Sequence, residues 1–124
     1  MVRQVERKIT REEVFAFVQQ KYQTKPEYLW KKNPTYAVLR QTANQKWYAI
    51  VMNVEKAKLG LTGVGQEDIL DLKLPPEIVA NLSEFPEFLP AYHMNKTHWL
   101  AVRLAKVDQT ELFRLLEQSY QLTN

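Results

Sequence analysis

The chain of 124 residues contains no cysteine, which excludes disulfides, cysteine nucleophiles and thiolate-bound metal sites. It has no apolar run approaching the roughly 20 residues that a membrane-spanning helix needs. The basic first 15 residues are not followed by the apolar stretch of a secretory signal peptide. These absences are typical of a reducing compartment, so we expect a cytoplasmic protein with no membrane partner.

Glycine is also scarce, and all three glycines lie within six residues, at positions 60, 63 and 65. Their spacing is not that of a dinucleotide-binding or phosphate-binding loop, and no lysine–serine pair follows them. We expect a mobile connection at this point. The remaining composition, 45% hydrophobic and 25% charged, is that of an ordinary globular protein, and we expect residues 1–124 to form a single domain.

The net charge of +3 is unevenly distributed along the chain. Residues 1–46 carry ten Lys/Arg and four Asp/Glu, a net charge of +6, whereas residues 47–124 carry seven and ten, a net charge of −3. A basic half can attract nucleic acid or another anion, although a solvated basic surface would give the same count.

Hydrophobic periodicity predicts the order α-β-β-β-α-β-α, with a further short strand near 88–93. A capping box at Thr10–Glu13 begins the first helix, and Asp108 with Glu111 begins the last. The predicted strands are Thr35–Arg40, Lys46–Val54, Ile69–Leu74 and His98–Leu104. The second predicted strand is apolar on both faces, so it should be central in the sheet. Strict alternation places Trp47 on the same face as Ala49 and Val51. Hairpin-length connections favour an α+β fold with two layers, an antiparallel sheet with its helices packed on one face.

The segment "PAYHMNKTHWLAV" (Pro90–Val102) is the richest in functional side chains and holds both histidines. No carboxylate lies between Leu89 and Leu104, and no serine sits in a recognisable nucleophile motif, so we expect no catalytic residues and no enzyme. The two histidines lack helical i, i+4 spacing, and Lys96 between them would repel a cation, so we expect neither a metal nor a cofactor. Anion binding by Lys96, Asn95 and a histidine remains open. So does a structural role, with His98 in the core and Asn95 in a left-handed turn position.

The nonapeptide "AYHMNKTHW" (Ala91–Trp99) resembles the signature of the MmcQ/YjbR family. "RQTANQKWYAIVMNV", "ILDLKLPPE" and "LLEQSYQLT" resemble further segments of that family in the right order, so the likeness covers nearly the whole chain. The resemblance implies a CyaY-like fold, described for the family as a double-winged DNA-binding motif. The first helix mixes basic with acidic residues, which departs from the acidic iron-binding helix of the related frataxins and argues against iron.

Residue by residue, the resemblance and the charge pattern together nominate a set of positions for binding nucleic acid or another anion: Arg40, Lys46, Lys73, His93, Asn95, Lys96 and His98. We expect a DNA-binding protein whose partner is double-stranded DNA, with Lys/Arg holding phosphates and the His93–Lys96 turn approaching a groove. The alternative is a module that binds a small anion or another protein, with no necessary contact to nucleic acid.

Overall fold

The computed structural model describes residues 9–124. Its three helices are α1 (Arg11–Tyr22), α2 (Pro76–Leu82) and α3 (Gln109–Thr123). Its five strands are β1 (Ala37–Arg40), β2 (Trp47–Glu55), β3 (Gln66–Lys73), β4 (Phe88–Pro90) and β5 (Trp99–Arg103). A short 3₁₀ helix, Lys56–Leu59, follows β2. The predicted element order is confirmed, including the short extra strand β4.

The five strands form one antiparallel sheet in the order β1-β2-β3-β5-β4. The predicted α+β class is therefore confirmed, and β2 lies inside the sheet as its apolar sequence indicated. Both predicted helix starts are present. The Thr10 hydroxyl accepts from the backbone N–H of Glu13, whose carboxylate accepts from the N–H of Thr10, and Asp108 accepts from the N–H of Glu111.

The two faces of the sheet are covered differently. On one face, here called the helix face, leucines 70, 72, 74 and 100 pack with α1 and α3 into the larger hydrophobic core. The opposite face, here called the loop face, carries Ile50, Met52, Ile69 and Ala101 under non-helical segments. Its cover comes from Tyr36, Leu59, Leu89, Tyr92 and Met94. The sheet is thus buried on both sides although its α-helices pack on one.

A β-bulge changes the direction of one aromatic side chain in β2. Leu39 pairs with Ala49 but Arg40 pairs with Trp47, so Tyr48 is an extra residue in the ladder. Tyr48 consequently packs in the helix-face core together with Ala49, while Trp47 joins the loop face. The prediction that Trp47 shares a face with Ala49 and Val51 was wrong, because strict alternation does not hold across a bulge.

The turns before β2 and β5 are set by side-chain and backbone hydrogen bonds. Before β2, Gln45 takes a left-handed backbone conformation (φ 65°), and the side-chain oxygen of Asn44 accepts from the N–H of Lys46. Strand β5 begins at Trp99, so His98 lies in a turn and is exposed. The placement of His98 in the core was therefore wrong.

The glycine-rich connection is more ordered than its sequence indicated. Gly60 ends the 3₁₀ helix in a left-handed conformation (φ 75°), and the carbonyl of Gly65 accepts from the N–H of Lys56. Leu59 from this connection folds back onto the loop face. Among residues 9–124, no helix has the length and apolar composition required to cross a bilayer.

Candidate nucleic-acid interface

The sheet topology gathers all seven nominated residues at one end of the sheet, here called the Lys46 end. β1 ends with Arg40 at this point, and Arg40 pairs with Trp47 at the start of β2. β3 ends here with Lys73, which pairs with Trp99 at the start of β5. The connection from β4 to β5, residues 91–98, carries the other four nominated residues at the same end. Positions far apart in sequence are thus brought to one edge of the molecule by antiparallel pairing.

Arg40 is held in an ion pair at the rim of this end. Its guanidinium donates to both carboxylate oxygens of Glu27, with Nε to Oε2 at 2.9 Å and Nη2 to Oε1 at 2.8 Å. Glu27 is held in place by a backbone bridge to Val38 of β1. A bidentate pair of this kind uses the guanidinium fork that would otherwise grip a phosphate. Of the seven residues, Arg40 is therefore poorly placed to bind an anion.

Asn95 organises the turn before β5. Its Oδ1 accepts from the backbone N–H of Thr97 at 2.9 Å and of His98 at 3.1 Å, and its carbonyl accepts from Trp99 N–H. This is the pattern of a capping asparagine. The left-handed position in the segment belongs to His93 (φ 63°), so the prediction that Asn95 would occupy it was wrong.

Both histidines are exposed at the Lys46 end. The His93 ring lies against the Tyr92 ring with 4.0 Å between centroids. The carbonyl of His98 accepts from the N–H of Leu74, which ties the turn to the end of β3. Within residues 9–124, no carboxylate hydrogen-bonds either imidazole, and no cluster of three or more His, Asp or Glu is arranged to hold a metal ion.

Three lysines supply the accessible charge. Lys46 and Lys96 are exposed and Lys73 is half-buried. In the part of the chain that the structure describes, none of the three forms an ion pair with a carboxylate. One acidic side chain, Glu77 in the first turn of α2, is also exposed near this end. Lys46 and Lys96 are the members of the nominated set that are freest to contact an anion.

Asp71 is a functional candidate that the sequence did not nominate. It lies on the loop face of β3 between Ile50 and Ala101, and it is fully buried. Its Oδ1 accepts from the N–H of Tyr92 at 3.4 Å, a long hydrogen bond, and its Oδ2 has no partner. Burial raises the pKa of Asp71 to about 8, against the opposing effects of the Tyr92 N–H and the Lys96 charge. The carboxyl group is therefore largely protonated at neutral pH.

The local pattern of β3 is typical of a strand with one side in solvent, because leucines alternate with Ile69, Asp71 and Lys73. Asp71 is buried because residues 91–94 fold across the loop face, a long-range contact that strand periodicity does not report.

Two adjoining cavities open on the loop face, and both are lined by Tyr92 and His93. The first, of about 240 Å³, is bounded mainly by aromatic rings, including Trp30, Tyr36 and Trp47. The second, of about 430 Å³, is bounded by Lys58 and Lys96. A cation-lined space thus lies next to an aromatic one, with His93 and Tyr92 between them.

Known proteins resemble this chain in both sequence and fold. Residues 8–122 match the model of the YjbR family. The uncharacterised protein YyaQ of Bacillus subtilis (strain 168) is 50% identical over 116 residues, covering 93% of this chain and 98% of YyaQ.

Solved structures agree with this grouping. A crystal structure of a Pseudomonas syringae protein superposes with a TM-score of 0.91 at 43% identity, covering 94% of this chain and 100% of that one. A Deinococcus radiodurans protein superposes with a TM-score of 0.70 over 91% of this chain and 77% of its own, and at 22% identity it supports the fold alone. The family match over almost the entire length and the close relatives lead to one conclusion: the chain belongs to the YjbR family.

Proposed function

We propose that this protein is a non-enzymatic, cytoplasmic DNA-binding protein that contacts phosphate groups through the Lys46 end of its sheet. The observation that carries the proposal is the placement of Lys46 before β2, Lys73 at the end of β3 and Lys96 in the connection from β4 to β5, at an end of the sheet where none of them is ion-paired within residues 9–124. Phosphate contacts of this kind fix a protein on nucleic acid without reading its sequence.

The absence of catalysis is part of the proposal. A general base needs a partner within hydrogen-bond reach of a substrate proton. The carboxyl group beneath the histidine-bearing turn is that of Asp71. It is buried under Tyr92, and burial raises its pKa so that it favours the protonated form. In the described part of the chain, the exposed imidazoles have no orienting carboxylate.

A small-anion site formed jointly by Arg40, Lys73 and His93 is the competing hypothesis, and the geometry gives it less support. Arg40 lines a cavity with Glu27 and Gln41, whereas His93 lines the two cavities of the loop face. Lys73 lies in β3 and borders none of these three cavities. An open basic edge is better suited to an extended polyanion than to a small ligand.

The test is a titration of labelled duplex DNA by fluorescence anisotropy at several salt concentrations. Binding should weaken linearly on a log–log plot, because each phosphate contact releases counterions. Lys96→Ala should reduce the magnitude of that slope by about 0.9, because it removes one positive charge that neutralises a phosphate.

The matched control is Lys106→Ala, which removes an exposed lysine just beyond the opposite end of β5. It should leave the slope unchanged. Absence of binding at low salt, or equal effects of the two substitutions, would contradict the proposal.

A further inference from the structure

The aromatic cavity of the loop face has the shape and lining of a site for a flat ring. It encloses about 240 Å³ and is walled by Trp30, Tyr36, Trp47 and Tyr92, with Ile50 and Met52 beneath. Asn33 and His93 are the polar groups on its rim. Largely apolar walls with a few polar groups at the edge are typical of sites for small aromatic ligands.

The rings of this cavity are not stacked on one another. Trp30 meets Tyr36 edge to face at 6.1 Å and Trp47 edge to face at 5.8 Å. On the helix face, by contrast, Phe17 stacks on Phe113 at 4.0 Å, so both rings are already paired. The loop-face rings therefore retain surface on which another ring can stack.

The rim of the cavity is accessible from solvent. Trp30 is 36% exposed although its indole walls the cavity. A ligand ring can therefore reach the indole without displacing core side chains.

Positive charge borders the cavity on two sides. The adjoining space of about 430 Å³ contains Lys58 and Lys96 and shares Tyr92 and His93 with the aromatic cavity. On the other side, the exposed lysines 31 and 32 lie in the chain between Trp30 and Asn33, which both line the cavity. The complementary ligand is therefore aromatic and anionic at once, as a nucleotide is.

We propose that this cavity holds the base of an unpaired nucleotide, with the adjoining phosphate reaching toward Lys96 and Lys58. The inference rests on the proposed function and specifies it further. A base within a duplex has both faces covered by its neighbours, whereas a base in a single strand can leave the stack and enter an aromatic site. The protein should therefore prefer single-stranded nucleic acid to a duplex, and the backbone contacts of the Lys46 end serve both.

The experiment compares unlabelled oligo(dU), oligo(U) and a duplex of equal length, using the quenching of tryptophan fluorescence and competition against a labelled probe. At least one of the single strands should quench the fluorescence and bind about tenfold more tightly than the duplex, the scale of one stacked base. The stronger of the two single strands identifies the sugar.

Trp30→Ala should abolish that advantage and leave duplex affinity unchanged. Tyr28→Ala is the matched control, because it removes a more exposed aromatic ring from the same segment that does not border the cavity. His93→Asn provides a second test, because asparagine tolerates the left-handed backbone of this exposed rim residue while the imidazole is lost, and it should weaken single-strand binding selectively.

The outcomes separate the two proposals. Equal affinity for single strand and duplex, or equal effects of Trp30→Ala and Tyr28→Ala, would overturn the base site while duplex binding still stands. Failure of all three nucleic acids to bind at low salt would overturn the proposed function and the base site together.

Discussion

The helix face and the loop face of the same sheet differ in what covers their apolar side chains and in how well their buried polar atoms are paired. On the helix face, the Ser119 hydroxyl donates to the Tyr48 carbonyl and Tyr48 donates to Thr24, and the hydroxyl of Tyr22 is the neutral group that is buried there without a partner. On the loop face, a carboxyl oxygen of Asp71 is buried without a partner, and aromatic rings remain partly exposed. We therefore expect the helix face to contribute most of the stability and the loop face, with its unpaired carboxyl oxygen and exposed rings, to carry the binding site.

The largest expected effect compares one leucine from each face. Leu100→Ala on the helix face should lower the free energy of unfolding by about 3 kcal/mol, because a cavity between β5 and the helices cannot close fully. Leu89→Ala on the loop face should cost about 1 kcal/mol, because Leu89 is only half-buried and lies in the outermost strand β4. Urea denaturation of both variants measures the difference, and equal losses would contradict the division between the faces.

The second prediction concerns the proton on Asp71. Its pKa is about 8 in the folded protein against 3.8 for an ordinary aspartate, so the folded state keeps a proton that the unfolded chain releases. Stability from this group is complete below about pH 4 and is lost as the pH rises toward 8, which gives the free energy of unfolding a negative slope against pH in that range.

Asp71→Asn should remove that slope. The variant should therefore become steadily more stable, relative to the unsubstituted protein, as the pH rises over the same range. Unfolding by urea at a series of pH values gives the measurement. Asp68→Asn on the same strand is the control and should leave the slope in place, because the Asp68 carboxylate is only half-buried and accepts from the Asn53 amide. A pH dependence that survives Asp71→Asn would mean that Asp71 is ionised in the fold.

The smallest effect tests the turn that covers Asp71. Asn95→Ala removes the acceptor of two backbone N–H groups and should cost about 1 kcal/mol, the usual loss for a capping side chain. Asn95→Asp keeps the acceptor and should retain most of the stability. Thermal unfolding measures both, and a stable Asn95→Ala protein that has lost nucleic-acid affinity would identify Asn95 as a contact residue instead.

The elements themselves could be predicted from sequence because their signals are local. Thr10 with Glu13, and Asp108 before α3, mark helix starts through bonds that reach three residues along the chain. The position of the nominated residues near one end depends on the strand order, which local signals do not contain. Whether those residues bind anything stays a prediction.

What sequence could not give depends on contacts between distant segments. The ion pair of Arg40 requires Glu27 to run beside β1, and the burial of Asp71 requires residues 91–94 to cross the sheet. The aromatic cavity combines Trp30 from a loop, Trp47 from β2 and Tyr92 from another loop. No periodic pattern connects these positions, so neither the cavity nor the buried acid was predicted.

The extra residue at Tyr48 lets two neighbouring aromatic side chains of one strand serve opposite faces of the sheet. Trp47 walls the cavity of the loop face, while Tyr48 packs with Ala49 in the helix-face core. Deleting Tyr48 would leave Trp47 opposite Arg40 and in strict alternation with Ala49, so the cavity would keep its wall. The helix-face core would lose a ring and the hydrogen bond from the Tyr48 hydroxyl to Thr24. A single-codon deletion at this point should therefore lower stability and spare the cavity, which makes the bulge a place where the core can be altered separately from the site.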